Sequence, residues 1–318
     1  MNYKTCLSIL ALVLFSLSSC DFNMEENRAQ VEVFMTDAPF DDEDVKAVFI
    51  TVAEVKIDGE SYPGFSGKKT IELSALQNGK TQSLGLSEVE VGSYQTLSLV
   101  LDLNTDQDDN KPGCYVLTVD NEKKNLLSNN TTSLQINSSI SFDSQEGKKT
   151  ELVLDMDLRK AIQYEKTNND KDYAFVSEDQ LSRTVRAVSI SNSGSIEGEL
   201  KLSPLVEAGK VIVYAYEKGS FDKAKETRAQ GDSGLTFAGA ITSTEAKVEN
   251  GFLTYKLAFL EEGDYEICIT SLEDDNQDGQ YQFKGFLHTS LSGEVTTAVK
   301  VEAKISTNLT LDILGIIN

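Results

Sequence analysis

The chain has 318 residues, with 29 Lys and Arg against 51 Asp and Glu, a formal net charge of −22, one histidine and no tryptophan. That charge repels phosphate backbones and anionic headgroups, which argues against nucleic-acid binding and against electrostatic docking on a membrane. His/Cys zinc chemistry lacks the residues to build it, and the length exceeds one ordinary domain, so two are expected.

Residues 1–19 read as a signal peptide: Lys4 supplies a positive start, an apolar run follows from Leu7 to Leu17, and small residues lead to a cysteine. The run is too short to span a bilayer, which takes about twenty residues. The ending Leu17-Ser18-Ser19-Cys20 resembles the lipobox of bacterial lipoproteins. That resemblance implies that Cys20 is acylated and becomes the first mature residue, so lipid would be the chain's hold on the membrane. Removing the segment takes away one lysine and no acid, which leaves the mature chain more acidic still. Residues 20–30 read as a lipidated tether. Asp21, Glu25 and Glu26 lie within it and resemble the surface-export signal of Bacteroidota lipoproteins.

From Val31 onward, alternation with period two dominates. Leu97, Leu99, Leu101 and Leu103 share one face, with Thr96, Ser98 and Asp102 opposite. Leu134, Ile136, Ile140 and Phe142 repeat the pattern, as do Leu152, Leu154 and Met156. These read as half-buried strands of an antiparallel sheet. Val48–Val52 is apolar on both faces and reads as a central strand, and one short helix is expected near Asp157–Tyr164. Ser191-Asn192-Ser193-Gly194 marks the best domain boundary, giving domains at 31–192 and 194–318. Alternation resumes beyond it in Val211/Val213/Ala215, Leu253/Tyr255/Leu257/Phe259, Tyr265/Ile267/Ile269, Val299/Val301/Ala303/Ile305 and Leu309/Leu311/Ile313. The fold class is therefore all-β, two immunoglobulin- or transthyretin-like β-sandwiches.

Three stretches of the first domain carry a family resemblance. They are Thr36-Asp37-Ala38-Pro39 with the strand Val45–Ile57, Thr150-Glu-Leu-Val-Leu-Asp-Met-Asp157, and Leu181–Val188. Together they resemble the bacterial family called domain of unknown function 4382, over about 31–195. The resemblance implies a secreted or lipid-anchored β domain and supplies no catalytic residue. Gly194-Ser-Ile-Glu-Gly198, Gly209–Tyr214 and Leu260–Ile267 look like carboxypeptidase-regulatory or transthyretin-like sandwiches, which implies a stalk or spacer.

The sharpest local motif is Asp274-Asp275-Asn276-Gln277-Asp278-Gly279-Gln280. Its D-x-N-x-D-G spacing matches the start of an EF-hand loop, in which alternate oxygens converge on a hard cation. Gly285 stands where the EF-hand needs Glu, and the flanks read as strands, so a calcium-binding hairpin loop is the alternative to a plain polar turn. Its candidate ligands are Asp274, Asn276 and Asp278 by side chain and Gln280 by carbonyl. A second acidic loop, with Asp106, Asp108 and Asn110, has similar spacing but is followed by Lys111-Pro112-Gly113. Gly231-Asp232-Ser233-Gly234 mimics a serine-protease nucleophile segment. His288 follows it rather than preceding it, and Leu235 replaces the second glycine, so the segment reads as loop. Asp155 and Asp157 share one strand face and could pair for glycoside cleavage, although acids on the polar face of a solvated sheet are the commoner pattern. Cys114 and Cys268 read as buried hydrophobes, with an interdomain disulfide as the other option.

These residues point to a non-enzymatic binding, adhesion or structural lipoprotein of the outer membrane, facing outward. A protein or glycan ligand is expected, with calcium as the one candidate cofactor. One alternative is a pilus-type subunit that exchanges the apolar end Leu309–Ile317. Another is a hydrolase using carboxylates.

Overall fold

The computed structural model describes residues 27–40, 42, 44–128, 131–167, 170–204, 206–231, 234–274, 281–289 and 296–317. The signal segment, Cys20 and most of the tether lie outside these residues. The described chain is mostly strand, and its α-helix is confined to three four-residue turns.

The first domain carries β1 (Arg28–Ala38), β2 (Val45–Ile57), β3 (Glu60–Ser61), β4 (Lys69–Glu72), β5 (Gln82–Glu90), β6 (Gly92–Asp102) and β7 (Tyr115–Thr118). It continues with β8 (Lys123–Leu127), β9 (Ser133–Ser144), β10 (Lys149–Asp157), β11 (Ile162–Thr167), β12 (Asp170–Phe175) and β13 (Val185–Ser189). One sheet runs β13-β10-β1-β5; the other runs β11-β12-β8-β7-β2-β6-β9, with β3 and β4 on β2. Their inner faces share one core. Val31, Val33, Met35, Leu152 and Leu154 come from the first sheet, and Val48, Ile50, Val52, Leu97, Leu99 and Leu101 from the second, all fully buried. The alternating positions of β6 and β9 thus do form the core face, and β2 is central, as its doubly apolar sequence requires. The wholly antiparallel sheet is corrected: β1 and β10 run parallel, from Gln30 opposite Lys149 to Ala38 opposite Asp157. Parallel neighbours need a long crossover, and the intervening chain from β2 to β9 provides it.

The expected helix shrinks to one turn, α1 (Leu158–Ala161), capped by the Asp157 side chain, which accepts from the Arg159 amide. Ile162 is already extended, because its strand pairs with β12 from Ile162 to Thr167. A second turn, α2 (Glu178–Leu181), precedes β13.

The second domain has β14 (Ser193–Leu202), β15 (Lys210–Glu217), β16 (Thr242–Glu245), β17 (Lys247–Glu249) and β18 (Phe252–Glu261). Then come β19 (Gly263–Glu273), β20 (Gln282–Thr289), β21 (Thr296–Val301), β22 (Ser306–Asn308) and β23 (Leu311–Ile317). Their order is β16-β15-β19-β20-β23-β14-β18-β17, with β21 on β19 and β22 on β14. Ile196, Val213, Leu257, Ile267, Ile269, Leu287, Leu311 and Ile313, drawn from both halves of this sheet, close on one core. The opposite face of β15 is covered too. Ile212, Tyr214 and Tyr216 pack with Phe237, Cys268 and Phe286 under the segment that carries α3 (Lys223–Glu226). Between the domains the chain makes a single 3-10 turn, Ile190–Asn192, before β14 begins with the buried Ser193.

β14 pairs with β22 as far as Glu197 opposite Asn308, then with β23 from Leu200 opposite Leu311. Between these registers the chain crosses directly over Gly198, with the Leu309 carbonyl against its Cα. Tyr255, opposite Gly198 on β18, donates its hydroxyl to that carbonyl at 2.7 Å. A methyl at Gly198 would overlap the Leu309 carbonyl, and backbone cannot rotate away as a side chain does. Gly198→Ala is therefore expected to cost about 1–3 kcal/mol, read as a lower urea midpoint with the slope unchanged.

Candidate interdomain site

The segment Asp155-Met156-Asp157-Leu158-Arg159-Lys160 builds the joint between the domains. Met156 faces the first core, so Asp155 and Asp157 face the other side of the four-stranded sheet. That side is not solvated: the second domain covers it, and Asp155 and Asp157 are each only 5% exposed, beside the buried Val153 and Val188. The polar-face reading of these two acids is corrected on this point. Their charges are compensated locally. Arg186, across the sheet on β13, donates from Nε (2.9 Å) and one Nη (2.6 Å) to Asp155 Oδ2. Arg159 donates to Asp157 Oδ2 at 3.0 Å, and Lys160 Nζ lies 3.6 Å from the same oxygen.

The same cations reach into the second domain. Arg186 donates to the carbonyls of Phe259 (2.7 Å) and Ala258 (3.2 Å). These carbonyls sit in a bulge of β18, where the register with β14 shifts and Phe259 takes φ +54°. A non-glycine residue is held in that region only where its surroundings over-determine it, and the guanidinium does so here. Lys160 Nζ donates to the Ala240 carbonyl at 2.6 Å, and the Arg159 guanidinium lies 5.0 Å from the Tyr214 ring centroid. The Thr244 hydroxyl donates to Asn78 Oδ1 (2.6 Å), and Lys247 to Gln77 Oε1 (3.2 Å).

Burial works to raise the Asp157 carboxyl pKa, but the charges of Arg159 and Lys160 outweigh it and hold the group below its ordinary value. For Lys160 burial prevails over the attraction of Asp157 and pulls the ammonium down.

Beside this joint the domains leave a cleft. Its inner part, about 160 Å³, is lined by Arg159, Tyr164 and Tyr214 among others. Its outer part, about 520 Å³, is lined by Lys46, Glu72, Lys210 and Lys247 among others. The two parts share Phe40, Asp42 and Tyr281. Clefts between domains are common ligand sites. Sequence reasoning named none of these residues as a site. The available signal was the cluster Asp155, Asp157, Arg159, Lys160 at the end of an apolar strand.

The remaining candidates separate cleanly. Asp274 ends the β19–β20 hairpin, whose arms pair from Thr270 opposite Phe286 to Glu273 opposite Gln282. Asn276, Asp278 and Gln280 lie outside the described residues. If the loop holds calcium, the mature protein should melt at a higher temperature in millimolar calcium than in EDTA. Asp278→Ala should remove that gain, and identical curves would leave a plain turn. In the other acidic loop, Asp106 Oδ1 accepts from the amides of Asp108 and Asn110, and Asp102 pairs with Lys68 at 2.6 Å. Asp106 thus spends Oδ1 on the amides of its own loop. No metal-binding group of His, Cys, Asp and Glu occurs among the described residues. Cys114 and Cys268 are free thiols, each buried in a different core. Burial pushes the Cys114 thiol up to about 12. Gly231 and Gly234 flank residues outside the described set, and Gly234 lines the inner cleft.

Residues 28–176 match the family model described as a domain of unknown function (DUF4382). The resemblance carried by the Thr36–Pro39 turn and the Leu152–Asp157 strand is therefore shown for the first domain. The DUF4382 match stops short of Leu181–Val188, so Arg186 lies outside it. No curated protein matches the chain. Among solved structures, a leucine-rich repeat protein of Bacteroides thetaiotaomicron is 10% identical with a TM-score of 0.25. That alignment covers 92% of this chain, which spans only 27% of that protein's length. The minor pilin GBS52 of Streptococcus agalactiae is 10% identical with a TM-score of 0.23, over 90% of this chain and 96% of that one. The major pilin subunit BcpA of Bacillus cereus is 11% identical with a TM-score of 0.23, over 90% and 70%. Likenesses this loose say nothing of activity.

Proposed function

We propose that this chain is a lipid-anchored module of the outer membrane, facing outward, that binds or displays rather than transforms. The observation that carries the reading is the joint. Asp155–Arg186 and Asp157–Arg159–Lys160 join the two β domains beside an open cleft. The two carboxylates that would serve a hydrolase are covered and paired with cations. The lipobox-like Leu17–Cys20 supports the anchor, and among the described residues no helix is long and apolar enough to cross a membrane. The second domain follows the first along the chain, so an anchor at Cys20 leaves it the further of the two from the lipid. β23 lies between β20 and β14 of its own chain, so exchange of that strand would have to vacate two pairings.

Acyl chains are the only apolar anchor in this reading, each buried methylene contributing about 0.8 kcal/mol. Cys20→Ser should therefore leave the protein unprocessed or release it to the soluble fraction. A processed Cys20→Ser protein that still sediments with membranes overturns the anchor. Protease added to intact cells should digest the wild type, and complete protection would overturn the outward orientation.

A further inference from the structure

The two domains are held at two places of unequal strength. At the joint, Arg186 and Lys160 donate to three carbonyls of the second domain, at 2.7, 3.2 and 2.6 Å, and Val153 and Val188 are buried beside them. Bonds with a charged donor are roughly twice as strong as neutral ones, and burial keeps water from competing for them. The second place is the connection between β4 and β5. Thr244 on β16 donates to Asn78 Oδ1 at 2.6 Å, and Lys247 on β17 to Gln77 Oε1 at 3.2 Å. The first of these joins two neutral groups. The second is long and exposed, and Glu245 lies 3.7 Å from the same ammonium. Close by, Gly79 meets β18 with bare backbone: a Cβ built there would stand 3.0 Å from the Ala258 Cβ.

This connection takes its shape from the first domain alone. Asn78 and Gly79 adopt φ +59° and +76°, and the Lys80 amide closes the turn on the Gln77 carbonyl at 3.3 Å. Thr36 holds both ends: its buried hydroxyl lies 2.9 Å from the Leu76 carbonyl and 2.7 Å from that of Lys80. The Asp37 amide adds a bond to the Leu76 carbonyl at 3.4 Å. The Thr36–Pro39 turn thus fixes a loop that keeps its form whether or not the second domain touches it. Gln77 and Lys247 also line the outer part of the cleft, so parting them widens it.

We propose that residues 76–80 are a latch and the Arg186–Lys160 joint a hinge, so that the second domain swings to open the cleft while both domains stay folded. This deepens the binding reading above and rests on it for the use of the cleft. Relative motion is the ordinary expectation for domains whose contact is small or polar, and the minor state of such a pair is commonly populated at about 0.1–10%. The test uses the full mature chain in detergent, with spin labels on Glu60→Cys and Lys201→Cys, both exposed and one in each domain. The native Cys114 and Cys268 are buried. Pulsed electron resonance then gives the distribution of distances between the domains. Thr244→Val combined with Lys247→Met should raise the ratio of open to closed molecules about tenfold, which is about 1.4 kcal/mol, with the circular dichroism of the strands unchanged. Thr244→Ser combined with Lys247→Arg keeps both donors and should behave as the wild type. A distribution that the first pair of substitutions leaves unaltered overturns the latch. So does an equal shift in the second pair, or a loss of strand signal that accompanies the shift. The measurement needs no ligand, so its failure leaves the fractionation of Cys20→Ser and the protease accessibility of intact cells untouched.

Discussion

Arg186→Met is expected to lower folding stability by about 3–5 kcal/mol, the usual consequence of stranding one member of a buried ion pair. The side chain does three things at once: it neutralises Asp155, holds two carbonyls of the β18 bulge, and joins the domains. Methionine keeps most of the length but leaves a carboxylate 5% exposed without its counter-charge. The loss should appear in urea melts as a lower midpoint. Small-angle scattering at low urea should show the two domains spreading while the circular dichroism of the strands persists. Asp155→Leu combined with Arg186→Met should recover part of the loss, because no charge is then stranded. If Arg186→Met melts within about 0.5 kcal/mol of the wild type, the ordinary range for surface changes, the joint is not where the domains are held.

Asp157→Leu is expected to be of similar size, about 3–5 kcal/mol, because Arg159 and Lys160 lose the carboxylate they share. This residue also gives a pH signature with a definite sign. Its folded-state pKa lies below the ordinary 3.8. On acidification the unfolded chain takes up the proton first, so acid favours unfolding. The Asp157 contribution is thus fully present above the ordinary value and is lost as pH falls through the folded one. Glu32, held down chiefly by Lys149, adds to the same slope. The difference between wild type and Asp157→Leu isolates the single group: it should be largest near neutrality and shrink below about pH 4. A difference that is flat from neutral to acid pH would mean that Asp157 acts by packing rather than by charge.

The strands were legible because their alternation is a direct record of which face is buried. Leu97–Leu101 and Leu134–Phe142 needed nothing beyond period two. The parallel β1–β10 pair was not legible, since alternation reports a face and not a neighbour. Nor was the burial of Asp155 and Asp157: an acid at an outward position looks solvated until a second domain is known to sit on it. The helix after Asp157 was overestimated because Leu158–Ala161 suits a helix locally, while pairing with β12 claims Ile162 onward. The cleft is not legible in the sequence because Lys46, Tyr164, Lys210 and Tyr281 are scattered along the chain and meet only beside the joint.

The pairing of β14 with β22 and β23 sets an order of events in time. Ser195 meets Ser306, and Leu200 meets Leu311, contacts that span more than a hundred residues. One edge of β14 can pair with β18, but its other edge stays open until residues 306–313 are available. Long-range closure of this kind is slow, so the sheet of the second domain is completed late in folding. Loss of Leu311–Ile317 by an early stop would leave β14 and β20 facing open edges, and such edges invite pairing with other chains.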